Sequence, residues 1–178
     1  DGGALFCQEE ELAARIKMMA NHGQKVKYHY DYIGINSRLD TIQAAILRVK
    51  LEHLDEFTRA RQNAASAYTH ILKEKKGITP PAISPFSSHV FHQYTILFEN
   101  SESRDLVKAQ LQEAGIQSMI YYPSSLHLQK AYAETNLHSG SFPVSESLCE
   151  RVLSLPMHSE MTNELVEFIC SKIDVSHR

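Results

Sequence analysis

The second half of this sequence predicts an α+β domain on three strands, and the first half predicts a helical region organised around one long helix. Three observations carry that expectation. Val90 to Phe98 alternates, with Val90, His92, Tyr94, Ile96 and Phe98 on one face, which is the period of a strand. Leu39 to Ala60 contains neither Gly nor Pro and carries two apolar stripes, Ile42, Ile46, Val49 beside Leu47, Leu51, Leu54. Between these regions, Gly77 to Ser88 holds three of the six prolines and marks a linker.

Taken in order, Asp1 to Phe6 reads as a turn feeding a short buried strand. A helix follows from about Glu9, with Glu9, Glu10 and Glu11 at its positive end, Leu12, Ile16 and Met19 on one face, and Gly23 suited to a left-handed stop. Lys25 to Tyr32, rich in Tyr, His and Lys, reads as loop. Ser37 with Asp40 three residues on has the form of a capping box, and the helix it opens is expected to continue through Tyr68 to Leu72 and stop at Gly77. Two apolar stripes exceed what one exposed helix needs, so packing on two sides is expected, against its own domain and against another chain.

After the linker and the strand at Val90, Leu106, Val107, Leu111 and Ala114 define a helix closed by Gly115. Ile116 to Tyr121 reads as a second strand. Short helices are expected around Leu126 to Ala133 and Glu146 to Val152, then a strand at Leu153 to Leu155. Thr162 suits the N-cap of a last helix with Val166, Ile169 and Ile173 inward.

Composition narrows the function classes. The 178 residues are 43% hydrophobic, enough apolar surface to offset the entropy of ordering. Eighteen Lys and Arg against 21 Asp and Glu leave a net charge of -3, no footprint for nucleic acid or an anionic membrane. No apolar run reaches the roughly 18 residues of a membrane span. Cys7, Cys149 and Cys170 stand at no metal-ligand spacing and read as free thiols of a reducing, cytoplasmic setting, Cys7 in a strand and the others on apolar helix faces. The ten histidines include no HExxH. There is no GxSxG, GxGxxG or Walker pattern, so the sequence holds no self-contained catalytic set. The first residue is Asp rather than Met, which suggests a chain that is processed or a piece of a longer protein.

Two segments remain. In Gly34 to Asp40, a helix N-terminus, the Asn36 amide and the Arg38 guanidinium suit a phosphate or carboxylate. The plain alternative is that Asn36 and Ser37 cap the helix and Arg38 is solvated. In Ile120 to His127, Tyr121, Tyr122 and His127 converge where a strand meets a helix and suit a polar ligand with apolar faces, such as a sugar. The alternative there is that the tyrosines straddle the sheet and one is core.

The stretches DGGALF, ELAARIKMMANHG, IGINSRLDTIQAAILRVKLEHLDEF, HVFHQYTI, GIQSMIYYPSSLHLQKAY and VLSLPMHSEMTNELVEFI resemble, in this order and spacing, the DegT/DnrJ/StrS family of sugar aminotransferases. The IYYP and LHLQ forms look most like members that aminate the 3-keto position of nucleotide-linked sugars. The resemblance implies an α/β fold-type-I enzyme dependent on pyridoxal phosphate (PLP), of which this chain is the C-terminal part. Residues 1–35 would end the large PLP-binding domain, 36–77 form the long interdomain and dimer helix, 78–88 the linker, and 89–178 a small α+β domain with a three-stranded sheet.

On the family pattern the Schiff-base lysine lies a few residues before the segment matching Asp1-Gly2-Gly3, so the chain alone is expected not to transaminate. Asn36 matches the asparagine that reaches the PLP phosphate of the other subunit, and Arg38 an arginine near the nucleotide-sugar. Tyr121 stands where many members have His, followed by Tyr122 and Pro123, and His127 lies in the matching substrate-side loop. The implied reaction converts a nucleotide-linked keto-sugar to an amino-sugar, with an amino acid donor such as glutamate, in a homodimer serving polysaccharide or related glycan biosynthesis. Two other readings stay open: a dehydratase of the same family with His for the lysine, and a non-catalytic dimerisation or ligand-binding module.

Overall fold

The computed structural model describes residues 3–175, and the chain divides into two compact units at His53 and Leu54. Asp1, Gly2 and His177 lie outside the described residues. No helix among those described is long and apolar enough to cross a membrane.

In the first unit, helix α1 spans Glu10–Met19, with Glu10 and Glu11 in its first turn and Lys17 in its last, the arrangement the helix dipole favours. The described residues before it form no strand, and Leu5, Phe6 and Cys7 are all exposed. Lys25 to Tyr32 is not a plain loop. It holds strands β1 (Gln24–Val26) and β2 (His29–Tyr30), paired antiparallel around a turn in which Tyr28 takes a φ of 69°.

Helix α2 covers Thr41–Glu52. The continuous helix expected to Leu72 is interrupted at His53, whose φ of -105° and ψ of 6° leave helical space, and α3 restarts at Leu54 and runs to Leu72. Nothing in the residue types marks this break, since neither Gly nor Pro is present. The capping box also fails to form. Asp40 is the N-cap, its carboxylate accepting from Ile42 N at 3.4 Å, while Ser37 N donates to Ala20 O at 2.8 Å. Both apolar stripes of α2 are exposed, Ile42, Ile46 and Val49 as well as Leu47 and Leu51.

The second unit contains the hydrophobic core. Strands β3 (Ile78–Thr79), β4 (Tyr94–Phe98) and β5 (Val152–Leu155) form an antiparallel sheet with β4 central. The expected three-stranded sheet is present, but its membership differs. The first two residues of the expected linker form β3. Ile116 to Tyr121 contributes only an isolated bridge, Met119 with Ser154, and the strand expected from Val90 begins at Tyr94. The alternation along β4 sends Tyr94, Ile96 and Phe98 into the core, beside Leu153 and Leu155 of β5.

Helix α4 (Ser101–Glu113) adds Val107 and Leu111 to that core and ends at Gly115, where Ile116 N returns to Leu111 O at 2.8 Å. Helix α5 (Pro143–Arg151) opens on a proline, and α6 (Asn163–Ser171) is capped by Thr162 as its sequence predicts, with Val166 and Ile169 buried and Ile173 buried just beyond its end. Two 3-10 turns, Leu126–Leu128 and Lys130–Thr135, replace the helix expected there.

Polar groups at the centre are paired. The Tyr68 ring stacks on Tyr94 at 4.9 Å, its hydroxyl donates to Pro156 O at 3.1 Å, and Tyr94 shares a 2.8 Å hydrogen bond with Thr69. Burial pushes the Cys170 thiol from 9.0 to about 11, and pushes Tyr94 from 10.0 to about 12 against the opposing Thr69 bond. The stability tied to Cys170 is fully present below pH 9 and lost as pH climbs through about 11, and that tied to Tyr94 is present below pH 10 and lost through about 12. Cys170→Ala should therefore flatten the loss of unfolding free energy between pH 9 and 11 by on the order of 2 kcal/mol, measured by denaturant titration at stepped pH. Equal slopes in the variant and the parent sequence would contradict this assignment.

Candidate functional site

The first site is built by two glycines. Residues 34–37 lie along 19–23, with Ile35 N donating to Met19 O and His22 N to Ile35 O, both at 2.9 Å, and Asn21 bridging to Asn36. A Cβ on Gly34 would fall 2.2 Å from Gly23 N, and one on Gly23 only 1.8 Å from Tyr32 O, so the two segments approach this closely only without side chains at those positions. Gly23 also takes a φ of +78°.

This apposition sets Asn36 beside Asn21, and Arg38 folds back onto both. Arg38 Nε donates to Asn36 Oδ1 at 3.0 Å and Nη1 to Asn21 Oδ1 at 3.2 Å. Both acceptors are neutral amides, and Arg38 has no ion pair among the described residues, so its charge is oriented without being neutralised. Spending Oδ1 on Arg38 leaves Asn36 Nδ2 as the group still to be satisfied. The donor set of Asn36 and Arg38 fits a phosphate.

The anion-favouring end of α2 is occupied by the Asp40 carboxylate, so the helix terminus is not the anion seat. Neither Asn36 nor Ser37 caps the helix, which removes that half of the plain alternative, while Arg38 is exposed, as the other half expects. Asn21 was not singled out in the sequence. Its role comes from a bridge to a residue fifteen positions away, for which no local pattern exists.

The second site is an apolar cavity of about 930 Å³ in the second unit, walled by Tyr121, Tyr122, Leu126, Phe142, Val144 and Leu148. Neither tyrosine belongs to the core: Tyr121 is 38% and Tyr122 71% exposed, which overturns the reading of one as a core residue. Their rings meet edge to face at 5.7 Å. Serine hydroxyls in the wall are tied to one another and to Cys149, Ser125 Oγ lying 3.2 Å from Ser145 Oγ and 3.4 Å from Cys149 Sγ.

His127 sits behind this wall. It is buried, its ring meets Phe142 edge-on at 4.9 Å, and Nε2 lies 3.0 Å from Glu146 Oε1. Glu146 in turn accepts from Gly140 N at 2.9 Å, Phe142 N at 3.2 Å and Ser139 Oγ at 3.2 Å, gathering the turn that precedes α5. The Gly140 amide above all, then Phe142, His127 and Ser139, hold the Glu146 carboxyl below the usual carboxylate range. Glu146 was legible only as part of a helical pattern. A Glu in the first turn of a helix opened by Pro143 is the signal that could have marked its capping role.

The DegT/DnrJ/EryC1/StrS aminotransferase family matches residues 1–174. The chain is 40% identical over 173 residues to UDP-2-acetamido-2-deoxy-3-oxo-D-glucuronate aminotransferase of Pseudomonas aeruginosa, covering 97% of this chain and 46% of that protein. It is 40% identical over 157 residues to dTDP-3-amino-3,4,6-trideoxy-alpha-D-glucose transaminase of Streptomyces venezuelae, covering 88% of this chain and 41% of that one. The crystal structure of a DegT DnrJ EryC1 StrS aminotransferase from Brucella abortus superposes with a TM-score of 0.85 at 42% identity, over 94% of this chain and 44% of that chain. The chain spans about half the length of the curated relatives it matches.

The Glu146 hub has a pH signature. A carboxyl held low in the folded state stabilises the Ser139–Phe142 turn above the usual carboxylate range and loses that effect as pH falls through the lowered value. Amide exchange at Gly140 and Phe142 should accelerate on acidification. Glu146→Ala should give that faster exchange already at neutral pH, and protected amides in the variant would show that the turn is held by something else.

Proposed function

The chain belongs to the DegT/DnrJ/EryC1/StrS aminotransferase family, and from that premise we propose that its full-length parent is a PLP-dependent transaminase of a nucleotide-linked keto-sugar, with glutamate or a similar amino acid as donor. The observation that carries this reading is the Arg38 guanidinium held by two neutral amides beside Asn36, a donor set without a carboxylate. The relatives are named as transaminases of UDP- and dTDP-linked sugars, which favours amination over dehydration.

In this reading the Asn36 amide donates to the cofactor phosphate of a partner subunit, and Arg38 faces the charged part of the substrate. PLP supplies the electron sink that lets an amino group and a proton change places. Tyr121 and Tyr122 lie against the sugar, their rings covering its apolar faces and their hydroxyls meeting its polar ones. His127 serves that contact indirectly, by holding Glu146 and so the turn bearing Phe142.

The exposed stripes of α2 supply the apolar face a homodimer requires, and Asn36 could serve a partner's cofactor only in such a dimer. The product would enter polysaccharide or related glycan synthesis in the cytoplasm. The Schiff-base lysine belongs to the length of the relatives that this chain does not span, which accounts for the absence of a complete catalytic set.

Asn36→Ala in the parent should weaken PLP retention by about tenfold, the worth of one hydrogen bond to a charged acceptor, while shifting the melting temperature little. Cofactor absorbance remaining after gel filtration measures it, and undiminished retention would sink the role. The 178-residue chain by itself should show no turnover of keto-sugar with glutamate under conditions where the parent is active. Turnover by the chain alone would place the reacting lysine within it.

A further inference from the structure

We propose that the apolar cavity beside Tyr121 and Tyr122 selects the substrate by an uncharged, methyl-bearing substituent on its sugar, with Phe142 and Leu148 as the specificity-determining side chains. This rests on the transaminase reading and names the kind of group, an acetamido group or a 6-deoxy carbon, that the keto-sugar would carry. The two tyrosines set against the sugar are themselves part of the cavity wall, so the space beyond them is within reach of a ring substituent.

Beyond the tyrosines the wall is built by Leu126, Phe142, Val144 and Leu148, and among the described residues no charged side chain lines it. Its four serines, Ser124, Ser125, Ser141 and Ser145, each engage the hydroxyl in a bond within the protein. A carboxylate entering here would lose water without gaining a partner, and a hydroxyl would exchange its water for carbon. A methyl group gains instead, because apolar surface leaves water on both sides of the contact. At about 930 Å³ the cavity has the size of a small-molecule site, and aromatic and aliphatic walls with few polar groups are the usual make-up of one.

The wall is also fixed in place. The Phe142 backbone N donates to Glu146 Oε1 at 3.2 Å, its ring meets the buried His127 at 4.9 Å, and Pro143 after it opens α5. Glu146 takes the Gly140 N at 2.9 Å and the Ser139 hydroxyl at 3.2 Å as well, so the turn carrying the ring is tied to α5 and does not fold into the cavity. Phe142 and Leu148 are both partly exposed and neither belongs to the hydrophobic core, so truncating them removes no core contact.

The PLP-loaded parent would be assayed for kcat/KM with two matched pairs of nucleotide-linked keto-sugars. One pair carries acetamido or hydroxyl at C2, and the other methyl or hydroxymethyl at C6. The parent should prefer the methyl-bearing member of one pair by about tenfold or more, and that pair identifies the group. Phe142→Ala and Leu148→Ala should each reduce the preference by about tenfold, through a higher KM for the methyl-bearing member and an unchanged KM for its counterpart. Leu148→Met, which keeps the volume, should retain the preference.

The other occupant such a cavity could have is a segment of the parent beyond this chain. In that case the alanine variants would lower the melting temperature and slow both members of a pair alike, and the unchanged ratio would overturn the proposal. A parent that aminates both members of each pair equally would overturn it too, with the transaminase reading left standing. If the PLP-loaded parent aminates none of the four sugars, the transaminase reading fails and the role of the cavity fails with it.

Discussion

The close passage of Gly23 against Gly34 is the constraint on which the first unit depends. Two backbone segments are brought to a separation that no Cβ would allow, and three backbone hydrogen bonds then run from 19–22 to 35–37. That pairing places Asn36 opposite Asn21, and only with both amides in position is the Arg38 guanidinium gripped at two nitrogens. A guanidinium held by neutral oxygens keeps its full charge for a ligand. Had Asp40 supplied the acceptor, the same fold would have neutralised the site it builds, but Asp40 is turned to the α2 terminus.

The second unit solves a different problem. Its core is continuous from α3 through β4 and β5 to α6, and the stacked Tyr68 and Tyr94 rings carry their hydroxyls to Pro156 O and Thr69, so large side chains are buried without stranding polar atoms. The cavity beside Tyr121 and Tyr122 is lined instead by an irregular segment. Irregular backbone needs partners of its own, and the His127–Glu146 pair provides them by collecting the Gly140 and Phe142 amides. A histidine that resembles a ligand-contacting residue in sequence thus works one layer behind the wall.

What the sequence disclosed follows from how local each signal is. The Tyr94, Ile96, Phe98 alternation, the α4 stripe closed by Gly115 and the Thr162 cap depend on neighbours within a turn or two, and all appear in the structure. The hairpin at Gln24–Tyr30 was missed because its strands are short, polar and exposed, without an apolar face to reveal their period. Ile116 to Tyr121 has strand-like composition, yet only Met119 finds a partner in Ser154. The break at His53 has no residue signature at all. Asn36 and Arg38 were legible as a motif, whereas Asn21 meets them only through tertiary proximity.

In the proposed function, the segment around Asn36 and Arg38 is held in place to meet an anion. The most direct test is a crystal structure of the full-length parent with PLP and a nucleoside diphosphate bound. Asn36 Nδ2 should lie within hydrogen-bond distance of a phosphate oxygen, with Arg38 still held by Asn21 and the Gly23–Gly34 contact unchanged. Phosphates bound elsewhere, with Asn36 facing only solvent or its own chain, would contradict the account.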